Sequence, residues 1–175
     1  TDQCNLRCAT CGQWGQRGYL HGQSLASLKK DEVPLERYQE LLQDLVVHGH
    51  HPLVYFWGGE PLLYRGLPDL VETAAALRLP PAIATNGTGM AAAATRFVDA
   101  PLFLLQVSID GPTAEIHNRI RPSARNGDNF SEIERGLAAV RDERRGRKKG
   151  LPLIASLTTI SDPNANHLAD IYRAF

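Results

Sequence analysis

The sequence holds no cysteine after its eleventh residue: Cys4, Cys8 and Cys11 fall within eight positions and nothing follows them. An odd number of clustered thiols makes a poor disulfide framework and reads as metal ligation in a reducing, cytoplasmic compartment. Charge of neither sign is in excess, with 19 Lys and Arg against 19 Asp and Glu. Nothing global therefore points to nucleic acid or a membrane surface. No apolar run reaches the roughly 18 residues that a membrane-spanning helix needs, and the N-terminus carries no signal-peptide pattern. There is no repeat and no low-complexity linker. What is present is ordinary globular composition, 43% apolar and 22% charged over 175 residues, enough for one domain with a substantial core. The chain has no initiator Met and opens directly on its cysteines. It reads as an excerpt, with residues 1–175 forming one core domain of a longer protein.

After the polar, Gly-rich stretch Gly12–Lys30, two kinds of segment alternate. Asp31–His48 reads as a helix, with Pro34 in the first turn, Leu35, Tyr38, Leu42 and Leu45 at helical spacing, and Gly49 at the end. Leu53–Trp57 is a short apolar run of β-forming residues, as in a strand covered on both faces. Arg65–Arg78 reads as helix, Ala82–Thr85 as strand, Met90–Phe97 as helix and Phe103–Ile109 as the clearest strand. Asp128–Arg145 is a helix with Phe130, Ile133, Leu137 and Val140 on one face. Leu153–Ile160 is a strand, and Asn164–Phe175 begins another helix. Strands alternating with helices predict βαβ units and a parallel sheet. An incomplete (β/α) barrel fits best, with a doubly wound open sheet as the alternative.

Cys4-Asn5-Leu6-Arg7-Cys8-Ala9-Thr10-Cys11 is a C-x3-C-x2-C motif. Three thiolates this close can cap three irons of a cubane and leave the fourth iron without a protein ligand. A tetrahedral zinc site needs a fourth ligand, and His21 is the only nearby candidate.

At a strand-to-helix loop, this motif resembles the signature of the radical S-adenosylmethionine (SAM) superfamily. The resemblance implies a [4Fe-4S] cluster on Cys4, Cys8 and Cys11, with the amino and carboxylate groups of SAM on its open iron. One departure stands out. The family usually has an aromatic residue before the third cysteine, where this chain has Thr10; Trp14 or Tyr19 would have to supply the aromatic shield.

Trp57-Gly58-Gly59-Glu60-Pro61 follows the first strand candidate within the chain. Paired glycines let backbone approach a ligand closely. The resemblance makes that ligand the methionyl amine of SAM, held by Gly58, Gly59, Glu60 and Pro61. A plain strand-to-helix turn, with Glu60 favoured by the helix dipole, is the other reading. Thr85-Asn86-Gly87 ends the next strand; the family often places this tripeptide at the active site, so Asn86 is either a ligand contact or a structural turn. Gln106-Val107-Ser108-Ile109-Asp110-Gly111-Pro112 ends the clearest strand. Ser108 and Asp110 share its parity and one face, and Pro112 stops the ladder. By resemblance Ser108 contacts the SAM ribose or carboxylate, and Asp110 orients loops or substrate.

His117-Asn118-Arg119-Ile120-Arg121 stands where molybdenum-cofactor and peptide-maturing relatives often show His-Asp-x-x-Arg. An Arg fork suits a carboxylate, so Arg121 is a candidate clamp for SAM, while His117 reads as a helix-packing residue. His48, His50 and His51 precede a strand, the end of a barrel unit opposite the chemistry, and read as surface residues. The basic run Arg141–Lys149 reads as a solvated helix end.

The fold implied by the resemblance is a partial (β/α)6 barrel of TIM type, lacking its first strand at the N-terminus and its last unit or units at the C-terminus. The implied reaction is reductive cleavage of SAM to a 5′-deoxyadenosyl radical that abstracts hydrogen from a substrate. A peptide or protein is the expected substrate, and a flavodoxin or ferredoxin the expected electron donor. A non-catalytic zinc or iron–sulfur module, and an ordinary barrel enzyme using Glu60 and Asp110 as acid and base, are the rival classes.

Overall fold

The computed structural model describes residues 1–175. Four strands form one sheet: β1 (Val54–Phe56), β2 (Pro81–Thr85), β3 (Leu104–Ser108) and β4 (Leu153–Leu157). They lie in chain order, each parallel to its neighbour. Between and around them run α1 (Leu25–Lys30), α2 (Leu35–Val47), α3 (Leu67–Ala76), α4 (Met90–Asp99), α5 (Ala114–Ile120), α6 (Asn129–Gly146) and α7 (Leu168–Ala174). Short 3-10 turns at Pro61–Leu63 and Ala165–His167 lead into α3 and α7.

The two faces of the sheet differ. Ile83, Leu105 and Val107 bury their side chains against Leu67, Val71, Met90, Phe97, Val98, Ile133 and Val140 of α3, α4 and α6. Val54 and Phe56 pack on Leu42, Leu70, Ala74 and Leu79. The alternate positions face the other way. Tyr55 donates its hydroxyl to Gln106 Oε1 across that face, and Tyr55, Leu153 and Leu157 are exposed. Helices on one face only mark a sector of a barrel, open along both edges, rather than a doubly wound sheet covered on both sides.

The expected elements are present with shifted ends, β2 starting one residue earlier and α4 running two residues further. The strand expected over Leu53–Trp57 hydrogen-bonds only at Val54–Phe56, and that expected over Leu153–Ile160 ends at Leu157. Two helices went unread. α1 lies inside the polar stretch and is six residues long, with only Leu25 and Leu28 packing partly buried on the cluster around Trp14, too short for a periodic signal. α5 is only seven residues long and starts at Thr113, whose side-chain oxygen accepts the Ile116 N–H. α6 has a stronger start: Asp128 accepts from the Ser131 N–H at 3.2 Å, placing a carboxylate at the positive end of the helix.

Candidate active site

Residues 1–11 cross the C-terminal ends of the strands as irregular chain, held by hydrogen bonds on both sides. On one side, the Gly59 N–H donates to Thr1 O at 2.9 Å and the Glu60 N–H to Gln3 O at 2.7 Å. A Cβ on Gly59 would sit 2.3 Å from Gln3 O, and one on Gly58 would sit 2.7 Å from Thr1 O. The close approach for which these glycines are needed is therefore to the strand of chain that delivers the cysteines. On the other side, Arg7 N–H donates to Pro122 O (2.8 Å), Ala9 N–H to Ile120 O (3.2 Å), and Ala124 N–H to Asn5 O (3.0 Å). Leu6 and Ser123 form an isolated antiparallel bridge. The cysteine loop is thus laced to the ends of β1 and of α5.

All three cysteines are free thiols; Cys4 is buried, Cys8 and Cys11 half-buried. Burial pushes the Cys4 thiol up to about 11. Burial also raises Cys8, opposed by the Arg121 guanidinium. Thiolates in such a place need positive charge beside them, which bound metal supplies as it displaces their protons. The Leu6 N–H lies 3.4 Å from Cys4 Sγ and the Trp14 N–H 3.3 Å from Cys11 Sγ, the donors that thiolate ligands of a cluster use. No group of three or more His, Cys, Asp or Glu side chains converges as a single-ion site, and His21 is exposed. The donor set fits a cubane, which takes one thiolate per iron, better than tetrahedral zinc.

Glu60 is 1% exposed and turns inward. Its carboxylate accepts the Leu62 N–H (3.0 Å), the Thr85 hydroxyl (2.7 Å) and the Asn86 N–H (2.7 Å). Burial raises its pKa to about 7, and these three donors hold it from going higher. Pro61 is buried at the start of the 3-10 turn. Asn86 is bonded within the protein: its Nδ2 donates to Asn5 Oδ1 at 2.9 Å, and its Oδ1 accepts from the Thr88 N–H and hydroxyl. Asn5 Nδ2 in turn donates to Thr88 Oγ1 at 2.8 Å. This amide pair ties the end of β2 to the middle of the cysteine motif.

Ser108 is half-buried at the end of β3, on the same face as Gln106. Asp110 is completely buried. It accepts Arg121 Nε at 2.6 Å on one oxygen and the Thr159 N–H at 2.8 Å on the other, joining the ends of β3, β4 and α5. Asn164 Nδ2 closes the same corner on Asp110 O at 3.0 Å. Arg121 Nη1 reaches to 4.0 Å from Cys8 Sγ. His117 is buried with Nδ1 accepting the Asp110 N–H at 3.2 Å, and its pKa is lowered to about 4 by burial and by Arg121. It is a neutral packing histidine, as the sequence implied. His48, His50 and His51 are exposed. The residues that sequence reasoning missed are Asn5, Thr85, Thr88, Thr159 and Asn164; Thr159 acts through its backbone N–H and the others through side-chain hydrogen bonds between loops, which leave no periodic signal.

The class of the fold is a one-sided parallel α/β sector of the partial-barrel type, with three free thiols on a loop laced across its strand ends. The profile of the radical SAM superfamily matches residues 1–170, and the chain belongs to that family, whose members use a [4Fe-4S] cluster and SAM. Among curated proteins it is 38% identical over 144 residues to a GTP 3′,8-cyclase of Mycobacterium sp. (strain KMS), covering 81% of this chain and 38% of that protein. It is 34% identical over 143 residues to GTP 3′,8-cyclase 2 of Mycobacterium tuberculosis (strain ATCC 25618 / H37Rv), covering 81% and 37%. The chain thus spans little more than a third of these relatives. Among solved structures, native anSMEcpe with bound AdoMet matches all of this chain and 46% of its own, with a TM-score of 0.75 at 22% identity. Streptococcus suis SuiB bound to precursor peptide SuiA matches 89% of this chain and 37% of its own, with a TM-score of 0.56 at 14% identity. These likenesses show the fold.

Proposed function

We propose that the protein is a radical SAM enzyme in which Cys4, Cys8 and Cys11 hold the cluster, and Gly58, Gly59, Glu60, Pro61, Asn86, Ser108, Asp110 and Arg121 build the SAM side of the site. The observation that carries this reading is the lacing of the cysteine loop to the ends of β1, β2 and α5. It gathers the cysteine loop and the loops that follow β1 and β2 at one end of the sheet, which supports a shared ligand site there. Cys4, Cys8 and Cys11 would hold the cluster, which with SAM bound would supply one-electron reductive chemistry leading to hydrogen abstraction from the substrate. The chain's own residues supply position and exclusion of water. Glu60 acts from beneath the site, fixing the β1 and β2 loops against each other, so that the backbone of Gly58–Glu60 meets the ligand in one conformation. Asp110 spends both oxygens on Arg121 and Thr159. It aims the guanidinium at the cysteine loop, where Arg121 stands ready for a carboxylate.

The substrate that fits best is a peptide or protein. The open inner face of the sheet carries the exposed Tyr55, Leu153 and Leu157 and the amide of Gln106, an apolar wall with hydrogen-bonding groups suited to side chains and amides. The similarity to GTP 3′,8-cyclases favours a second reading, a purine nucleoside triphosphate. A cytoplasmic setting and a flavodoxin or ferredoxin donor belong to the same proposal. To test the substrate, the full-length protein is loaded anaerobically and given SAM and dithionite with or without GTP. Consumption of GTP with a matching rise in 5′-deoxyadenosine would overturn the peptide reading; indifference to GTP supports it.

A further inference from the structure

Residues Gly12–Leu20 fold back over the cysteine loop. The Gly15 N–H donates to Cys11 O (3.0 Å), the Leu20 N–H to Gln13 O (2.8 Å) and the Tyr19 N–H to Gly12 O (3.2 Å). A Cβ on Gly15 would meet Cys11 O at 2.6 Å and Cys8 O at 2.9 Å, so the turn presses against the carbonyls of the motif itself. Trp14, at its centre, is 1% exposed. It packs with Cys4, Leu6 and Leu20 against Cys8 and Cys11, while Tyr19 is 68% exposed and Thr10 lies in solvent.

Trp14 is held from three sides. Its backbone N–H is on Cys11 Sγ, its indole Nε1 donates to Asp2 O at 2.8 Å, and the Arg7 guanidinium lies 4.1 Å above its ring. Arg7 cannot swing away freely, because Nη1 also donates to Cys4 O (3.0 Å) and Leu6 O (2.8 Å). A stacked cation and an aromatic ring attract each other and exclude water from the space between them.

We propose that Trp14, clamped by Arg7, is the positioning residue that fixes Cys11 and covers the cluster against water and oxygen, filling the place that Thr10 leaves open. The proposal rests on the cluster assignment made above. Groups around a metal site that orient its ligands and control solvent access cost about 10–100-fold in metal retention when removed.

The test uses full-length protein loaded anaerobically, then exposed to air or to an iron chelator while the visible absorption of the cluster is followed. Trp14→Leu and Arg7→Gln should lose cluster about 10-fold faster than the wild type, and Trp14→Phe should stay close to it. Arg7→Gln should also move the reduction potential to a more negative value, because a cation beside the cluster has gone; a merely structural change would not do so. If Trp14→Leu fails to fold, by circular dichroism of the apo protein, Arg7→Gln and Trp14→Phe decide. Wild-type release rates and an unmoved potential in Arg7→Gln would overturn the proposal. A wild-type protein that assembles no cluster at all would instead remove the assignment on which it rests.

Discussion

The α4–α6 region and the cysteine loop are held together by different forces. Between α4, α6 and β3, Met90, Phe97, Val98, Leu105, Val107, Ile133 and Val140 are all fully buried, and apolar burial supplies the stability there. Residues 1–20 form no helix or strand. Their order comes from hydrogen bonds to other loops and from one small apolar cluster around Trp14. The first region tolerates no lost volume and does no chemistry. The second has little core of its own, and its precise shape is what a cofactor would require. The contrast teaches that stability and chemistry can be broken separately.

The largest effects come from a matched pair. Phe97→Ala opens a cavity in the apolar region, and Asp110→Ala takes the partner from the half-buried Arg121. Each should cost about 3–5 kcal/mol in denaturant unfolding. Only Asp110→Ala should also change the spectrum of the loaded protein, because Arg121 reaches Cys8. Equal spectra in both would erase the distinction between the regions.

Glu60 gives the next largest effect and a pH signature. Burial raises its pKa from the ordinary 4.5 to about 7, so the folded apo protein favours the protonated form. That contribution is complete below about pH 4.5 and is lost as pH rises through 7, a change of up to roughly 3 kcal/mol. Glu60→Gln cannot titrate, and it places an amide donor where Asn86 N–H needs an acceptor. The wild type should exceed Glu60→Gln in stability most at pH 5, with the gap narrowing toward pH 8 in thermal unfolding; a constant gap would contradict this account.

Asn86→Ala sharpens the comparison at smaller scale. It leaves Asn5 Oδ1 without its donor and should cost only about 1–2 kcal/mol of stability. Cluster retention should nevertheless fall about 10-fold, measured by chelator challenge. Smallest of all, Arg147→Ala removes exposed pairs to Asp99 and Glu143 and should stay within about 1 kcal/mol of wild type, with no change in cluster content.

Much of this division was legible in the sequence, for a physical reason. Core helices such as α6 announce themselves by apolar spacing, and motif glycines and cysteines by their rarity. Helices α1 and α5 were invisible because six and seven residues hold too few repeats. In the site, residue types were readable but directions were not. The Glu60 carboxylate turns onto the donors of Leu62, Thr85 and Asn86, and the Asn86 amide bonds Asn5 and Thr88. Gly58 and Gly59 make room for residues 1–3. Such roles depend on which loops meet, and that is decided by strand order and helix packing far away in sequence.

The most direct test of the central claim compares wild-type and Cys8→Ala full-length proteins. Both are reconstituted anaerobically with iron and sulfide, assayed for metal and acid-labile sulfide, then given SAM and dithionite. The account predicts four irons with sulfide and 5′-deoxyadenosine from the wild type, and neither from Cys8→Ala at an unchanged fold. Substantial 5′-deoxyadenosine from Cys8→Ala, or zinc without sulfide in the wild type, would contradict it.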